Sequence, residues 1–306
     1  MKVIKIGQIN FYGNSGEYRF QNLCDQLNKF SIKHYKYVNC INEECDIVFY
    51  SLYDKKQNLQ KVKGNPIFIF WTDEHQCVGS DQIFWEIYKI TPFNWYKGNN
   101  LSISFYDDNN DNLFFPYFVI FIPEYLKIRK ANPIIYNKTK FCTFCALNAN
   151  TYEATFRTNI VKYISNNYKQ ITCCGKVLNN TNHEYLPYDY DKATKYHLPY
   201  KFNLCFENSS SDNNLTYITE KIIFALMYGV VPIYWGANRI TEWFDNNSFI
   251  NCNGLNQEEI LERIKEVDNN DDLYKSMINT NPIKMGAQEC YNYFIKKLDN
   301  FLINIV

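Results

Sequence analysis

Apolar and polar positions along the 306-residue chain are spaced in two alternating rhythms. Val3–Ile9 (VIKIGQI) reads as a short alternating strand. Residues 18–30 place Phe20, Leu23, Cys24, Leu27 and Phe30 three or four apart, which predicts a helix. Residues 45–51 and 66–71 are short continuous apolar runs, the mark of strands covered on both faces. Residues 73–112 carry several turn signals and read as loops over a sheet, and residues 125–140 as a linker.

The alternation restarts beyond the linker. Strands are predicted at 141–147, 168–174, Tyr200–Phe206 and 230–234, with helices over Tyr152–Asn167 and 216–228. Asn256 and Glu259 form a capping-box pattern ahead of Ile260, Leu261, Ile264 and Val267. Residues 288–305 line up Tyr291, Phe294, Ile295, Leu298, Phe301, Leu302 and Ile305 on one stripe, a terminal helix placed to pack on a domain. Strands alternating with helices predict an α/β protein with parallel sheets. The length suits two domains, 1–137 and 138–306, read as Rossmann-like domains facing each other across a cleft, with the terminal helix returning to the first.

Composition removes whole classes of function. Lys and Arg number 32 and Asp and Glu 32, so the formal net charge is zero and there is no excess of cations for general nucleic-acid binding. With 46% hydrophobic and 21% charged residues, the chain is not of a disordered type. The first ten residues lack the apolar core of a signal peptide, and no stretch approaches the roughly 20 apolar residues that span a bilayer. The expectation is a soluble, cytoplasmic protein. The 11 cysteines are scattered through strand-like segments and read as buried thiols. Cys142, Cys145, Cys173 and Cys174 offer a weak zinc pattern, but two of them stand three apart on a predicted strand and so face opposite sides. No metal site is expected.

The chemistry concentrates in residues 200–236, YKFNLCFENSSSDNNLTYITEKIIFALMYGVVPIYWG. This is a strand, a polar loop, a helix that Thr216 or Thr219 is placed to cap and Gly229 to end, then a second strand. The helix start aims N–H groups and a positive dipole end at the carboxyl ends of the strands, where an anion is favoured. Lys221 in the first turn is disfavoured by that dipole, which points to an anionic ligand offsetting it. Alone, it is an ordinary surface lysine on an amphipathic helix.

The run FNLCFENS, YITEKI and VPIYWG resembles the donor-binding signature of the α1,3/α1,4-fucosyltransferases, glycosyltransferase family 10. The segment WFDNNSFINCN (243–253) is similar to a further family segment, though it lacks that segment's Pro and Lys, and 144–176 resembles the family's strand–helix–strand with an Arg opening the helix. The resemblance implies a GT-B fold and an inverting transfer of L-fucose from GDP-β-L-fucose to a hydroxyl, O3 by expectation, of a GlcNAc- or Glc-containing glycan. It implies that Lys221 and Arg157 hold the diphosphate. Tyr217 and Glu220 take the ribose and guanosine side, Asn208 reaches the fucose or phosphate, and Glu207 faces sugar hydroxyls. Glu74, after the apolar run 67–71 and beside Asp73 and His75, resembles the family's base; without the resemblance, an acid there is an ordinary solvated turn. No cofactor is required, while Mn²⁺ or Mg²⁺ stimulation is compatible with the family. Another GDP-sugar transferase and a catalytically silent glycan- or nucleotide-binding module are the alternatives.

Overall fold

The computed structural model describes residues 3–9, 15–51, 61–71, 101–105, 107–108, 111–134, 136–147, 152–181, 190–208 and 216–306, with only the backbone of 15–18 and 152–154. The chain divides into two compact units, one of residues 1–115 and 291–306 and the other of 116–290.

The first unit carries strands β1 (Val3–Ile9), β2 (His34–Tyr37), β3 (Ile47–Tyr50), β4 (Ile67–Trp71), β5 (Ser102–Ser104) and β6 (Asn112–Phe114). They form one sheet in the order β2-β1-β3-β4-β5-β6, and every pair is parallel. Helix α1 (Ser15–Leu27) supplies the crossover from β1 to β2. Phe20 stacks on Phe49 of β3 with ring centroids 5.3 Å apart. The short strands β5 and β6 arise within a stretch that sequence signals assign to loops. Three residues are too few for an apolar period to register, and Asn112 holds them by accepting from the hydroxyls of Ser102 and Ser104, each at 2.7 Å.

The second unit opens with a 3-10 turn (Tyr117–Phe121) and helix α2 (Ile122–Ala131), whose later part overlaps the stretch 125–140 that composition reads as a linker. The basic residues Arg129 and Lys130 fall in the last turn of α2, where a cation suits the helix dipole. The unit continues with β7 (Lys140–Phe144), α3 (Tyr152–Asn167), β8 (Ile171–Cys173), α4 (Tyr190–His197), β9 (Tyr200–Phe206), α5 (Glu220–Met227), β10 (Val231–Trp235) and β11 (Ile250–Asn251). Helices α6 (Gln257–Asp268), α7 (Asp271–Asn279) and α8 (Ala287–Ile305) close the chain. The second sheet is again all parallel, ordered β11-β10-β9-β7-β8. Its order reverses between β7 and β9, and in sheets of this kind a ligand sits at the carboxyl ends of the strands flanking the reversal.

One local expectation appears in the structure. Asn256 and Glu259 make a reciprocal capping box at the start of α6. From Tyr291 onward α8 belongs to the first unit, where Phe294 meets Phe115 at 5.5 Å and Asp299 accepts from the Tyr35 hydroxyl at 2.6 Å. Cys142, Cys173 and Cys174 are buried and Cys145 is exposed. Among the described residues no group of His, Cys, Asp and Glu is arranged to hold a metal, and no helix is long and apolar enough to cross a membrane.

Beneath the second sheet lies a buried polar chain. Asn203 donates to Thr143 Oγ1 at 2.7 Å, and that hydroxyl lies 2.9 Å from Nδ1 of His197. The imidazole stacks on Tyr228 at 4.4 Å with an interplanar angle of 7°. Burial lowers the His197 pKa from 6.5 to about 3. A folded-state value below the unfolded one means that the unfolded chain holds the extra proton between pH 3 and 6.5, so stability falls as the pH falls through that window. Acidification from pH 6.5 to 5 should remove about 2 kcal/mol through this residue. His197→Phe keeps a ring against Tyr228 and should flatten the loss in urea denaturation. An unchanged slope in the variant would assign the acid sensitivity elsewhere.

Candidate functional site

β9 is buried along its length except at Lys201, and its carboxyl end leads directly into Glu207 and Asn208. Glu207 has no solvent exposure. An isolated carboxylate in such a place costs several kcal/mol, so it must be partnered. Its Oε1 accepts from the Thr219 backbone N–H at 2.8 Å. Its Oε2 accepts from the Thr219 hydroxyl at 2.7 Å and from Lys221 Nζ at 3.0 Å. Lys221 Nζ also reaches Thr219 Oγ1 at 2.9 Å and lies 3.6 Å from Glu220.

This arrangement revises the reading of the helix start. Thr219 occupies the N-cap position of α5 but makes no capping hydrogen bond; its hydroxyl donates to Glu207 and accepts from Lys221 Nζ instead. Thr216 lies outside the helix, which begins at Glu220. The charge that balances Lys221 in the first turn comes from within the chain, from Glu207 and Glu220. Burial raises the Glu207 carboxyl above the usual range against the pull of Lys221. Burial also opposes the Lys221 charge, but the two carboxylates outweigh it and hold the ammonium pKa above the ordinary lysine value. Lys221 is therefore cationic at any physiological pH. An ammonium has three hydrogens. Glu207 and Thr219 engage two of them, and the side chain stays 21% exposed.

Arg157 comes from α3, which follows β7, the other strand at the reversal of sheet order. It is 4% exposed, and its Nη1 donates to Asn208 Oδ1 at 2.8 Å and to the Phe206 carbonyl at 3.3 Å. The neighbouring Phe156 packs on Trp235 at 4.6 Å and stacks on Phe206 at 6.0 Å, which fixes α3 over the ends of β9 and β10. Arg157 is close enough to Lys221 to lower its proton affinity slightly. The two cations thus meet at the carboxyl end of β9, each held by a residue of the Glu207–Asn208 pair.

Of the residues singled out in the sequence, Arg157, Glu207, Asn208, Glu220 and Lys221 come together here. Tyr217 is 2% exposed and lies two residues before the α5 N-cap. Glu74, with Asp73 and His75, lies outside the described residues, as does the loop 209–214. Gly236 is a component that sequence reasoning missed, and Thr219, read there as a cap, serves as a partner of Glu207 and Lys221. A β-carbon on Gly236 would stand 2.4 Å from Cγ of Glu207, far inside contact distance. The glycine in the string YWG is therefore the space into which the buried glutamate fits. The bulky run VPIYW followed at once by Gly is the signal that pointed there.

Residues 135–280 match the model of the family described as Glycosyltransferase family 10 (fucosyltransferase) C-term. Over 157 residues, 51% of this chain, the protein is 32% identical to an α-(1,3)-fucosyltransferase of Helicobacter pylori, spanning 30% of that relative's length. Over 203 residues, 63% of this chain, it is 30% identical to a putative fucosyltransferase of Acanthamoeba polyphaga mimivirus, spanning 32% of it. The chain thus aligns with about a third of the length of either relative. A solved α1,3-fucosyltransferase structure with GDP superposes with a TM-score of 0.69 over 97% of this chain and 90% of that one, at 20% identity. An α-glucosyltransferase in complex with UDP and DNA superposes at 0.53, over 96% of this chain and 94% of that one, at 11% identity. At such identities these likenesses establish the fold, two parallel-sheet α/β domains of the GT-B class.

Gly236→Ala should force Glu207 from its place and loosen Lys221. The expected cost is about 1–3 kcal/mol in chemical denaturation, as for other overpacked interiors. A variant as stable as the parent would show that the Glu207 site has room to spare. Every charged group of the cluster lies within 135–280, the segment that matches the fucosyltransferase C-terminal model of glycosyltransferase family 10.

Proposed function

We propose that the protein transfers L-fucose from GDP-β-L-fucose to a hydroxyl, O3 of a GlcNAc- or Glc-containing glycan, with inversion at the anomeric carbon. The observation that carries this reading is the convergence of Lys221 and Arg157 at the carboxyl end of β9, inside a segment that matches a fucosyltransferase family.

The chemistry asks little of an acid catalyst, because GDP departs as a diphosphate, already a stable anion. It asks for positive charge where the phosphates gain electrons, for in-line geometry, and for a base. Lys221 directs its remaining hydrogen to one phosphate oxygen. Arg157, oriented through Asn208, offers a planar fork that two oxygens accept together. Tyr217 and Glu220 serve the ribose and guanosine side. Glu207 acts behind Lys221, aiming the ammonium from a position closed to solvent. Glu74 takes the acceptor proton as the acceptor oxygen attacks C1 of fucose. The C1–O bond to the phosphate breaks and its electron pair leaves with GDP. An ordinary Glu has a pKa near ~4.3 and is ionised at neutral pH, as this role requires. The residues described provide no metal-holding group, and the reading assigns no step to a metal ion.

A transfer screen with GDP-fucose, GDP-mannose and UDP-sugars against a glycan panel, with linkage read by NMR, tests the donor and acceptor directly. Fucose transfer is expected, and turnover with only a non-fucose donor would overturn the reading. Lys221→Ala should reduce kcat/KM by about 10²-fold or more, the usual loss on removing one electrostatic contact to a developing anion. Glu74→Ala should reduce kcat by roughly 10²–10⁴-fold while GDP affinity is kept. A Glu74 variant with full activity would move the base to another residue.

A further inference from the structure

A second cluster of positive charge lies at the opposite end of the second sheet. Val231 opens β10 and pairs with Phe202, whereas Trp235 closes it and pairs with Phe206 beside Glu207. Four strand residues, roughly 13 Å, separate the two ends. At the Val231 end is a cavity of about 250 Å³ in the second unit. Its wall combines Arg129 of α2, Leu226 near the end of α5, Gly229 just past it, Ser248, and residues from Met277 in the last turn of α7 to Pro282.

Arg129 is the unusual part of that wall. Its Nη1 is buried and has no hydrogen-bond partner. Among the described residues no carboxylate pairs with the guanidinium. Gly229, in a left-handed conformation with φ of +65°, makes room for it, since a β-carbon there would stand 2.6 Å from Nη1. A second cation meets the same glycine from another direction: Lys138 donates to the Gly229 carbonyl at 2.8 Å and to the Leu198 carbonyl at 2.6 Å. Lys138 likewise has no carboxylate partner among the described residues. Burial, with the nearby Arg129 charge adding to it, lowers its pKa to about 8.

The carboxyl end of α5 supplies about half a negative charge. That offsets less than half of two full cations, so the locality keeps a net positive charge with nothing in the described chain to neutralise it. Arg129 as a whole is half-buried, but a guanidinium nitrogen closed off without a partner is costly, and in folded proteins such groups are paired or meet an ion. Ser248, Asn279 and Asn281 bring polar groups to the same cavity, while Ile134, Leu226 and Pro282 make its apolar wall.

We propose that this cavity binds a small organic oxyanion, its carboxylate or phosphate group held by Arg129 and its compact apolar body lying against Ile134 and Leu226. The site is separate from the cluster around Lys221, and the proposal stands whether or not the donor reading above is correct.

Thermal unfolding of the full chain in butyrate or in inorganic phosphate, each at tens of millimolar and compared with chloride at equal ionic strength, tests it. Binding of either probe to the folded state alone raises the melting temperature, by at least about 2 °C once the probe is in excess. A response to butyrate alone identifies a carboxylate ligand, and a response to phosphate alone or to both identifies a phosphate-accepting one. The rise should vanish in Arg129→Gln, which removes the charge. It should also vanish in Ile134→Trp, which fills the cavity and leaves both cations in place. No rise with either probe would overturn the proposal, as would a rise that persists in either folded variant, because the anion would then be bound elsewhere.

Discussion

A carboxylate closed off from water must be satisfied by its own protein, and Glu207 is such a group. Its two oxygens take a backbone N–H, a hydroxyl and an ammonium, which fixes Thr219 and Lys221 relative to the end of β9. Removing the cation would leave the charge buried and alone, a situation worth roughly 3–5 kcal/mol in other proteins. The same contacts engage the N-cap threonine of α5 and explain why Gly236 has no room for a side chain. One buried acid therefore sets the geometry of the whole helix start.

The sheet topology explains why the cluster forms here. Two parallel strands flanking a reversal of order send their following segments apart, leaving a crevice at their carboxyl ends. β7 leads to α3 and Arg157, and β9 leads to Glu207 and Asn208. The Arg157–Asn208 hydrogen bond spans that crevice. Phe156, Phe206 and Trp235 make the aromatic floor that keeps α3 in register. Toward the opposite ends of the same strands lie Tyr228, His197 and the Gly229 turn, where Lys138 donates to the Gly229 carbonyl.

Much of this was legible in the residues themselves. Buried strands such as Ile47–Tyr50 and Ile67–Trp71 carry continuous apolar runs, and α6 carries its own capping signal in Asn256 and Glu259. The short pieces were not legible. β5, β6 and β11 have two or three residues each, below the length at which a period can be read; β5 and β6 are tied by Asn112 to the serines of β5, and β11 pairs with β10. Helix α2 was hidden because Lys127, Arg129 and Lys130 make its composition resemble a linker, while Ile122 and Ile128 supply its buried face. At the site, residue types and spacing pointed to Lys221 as a cation needing an anion. They did not show that Glu207 supplies one, because a strand residue and a helix residue 14 apart meet only through the fold.

The most direct test of the central interaction is a double-mutant cycle between Glu207 and Lys221, using Glu207→Gln and Lys221→Met with stability measured by urea denaturation. Each single change should be costly because it strands the other charge, and the double variant should lose less than the sum, with a coupling of about 2 kcal/mol or more. Costs that simply add, within about 0.5 kcal/mol, would contradict the account and remove Glu207 as the organiser of the site.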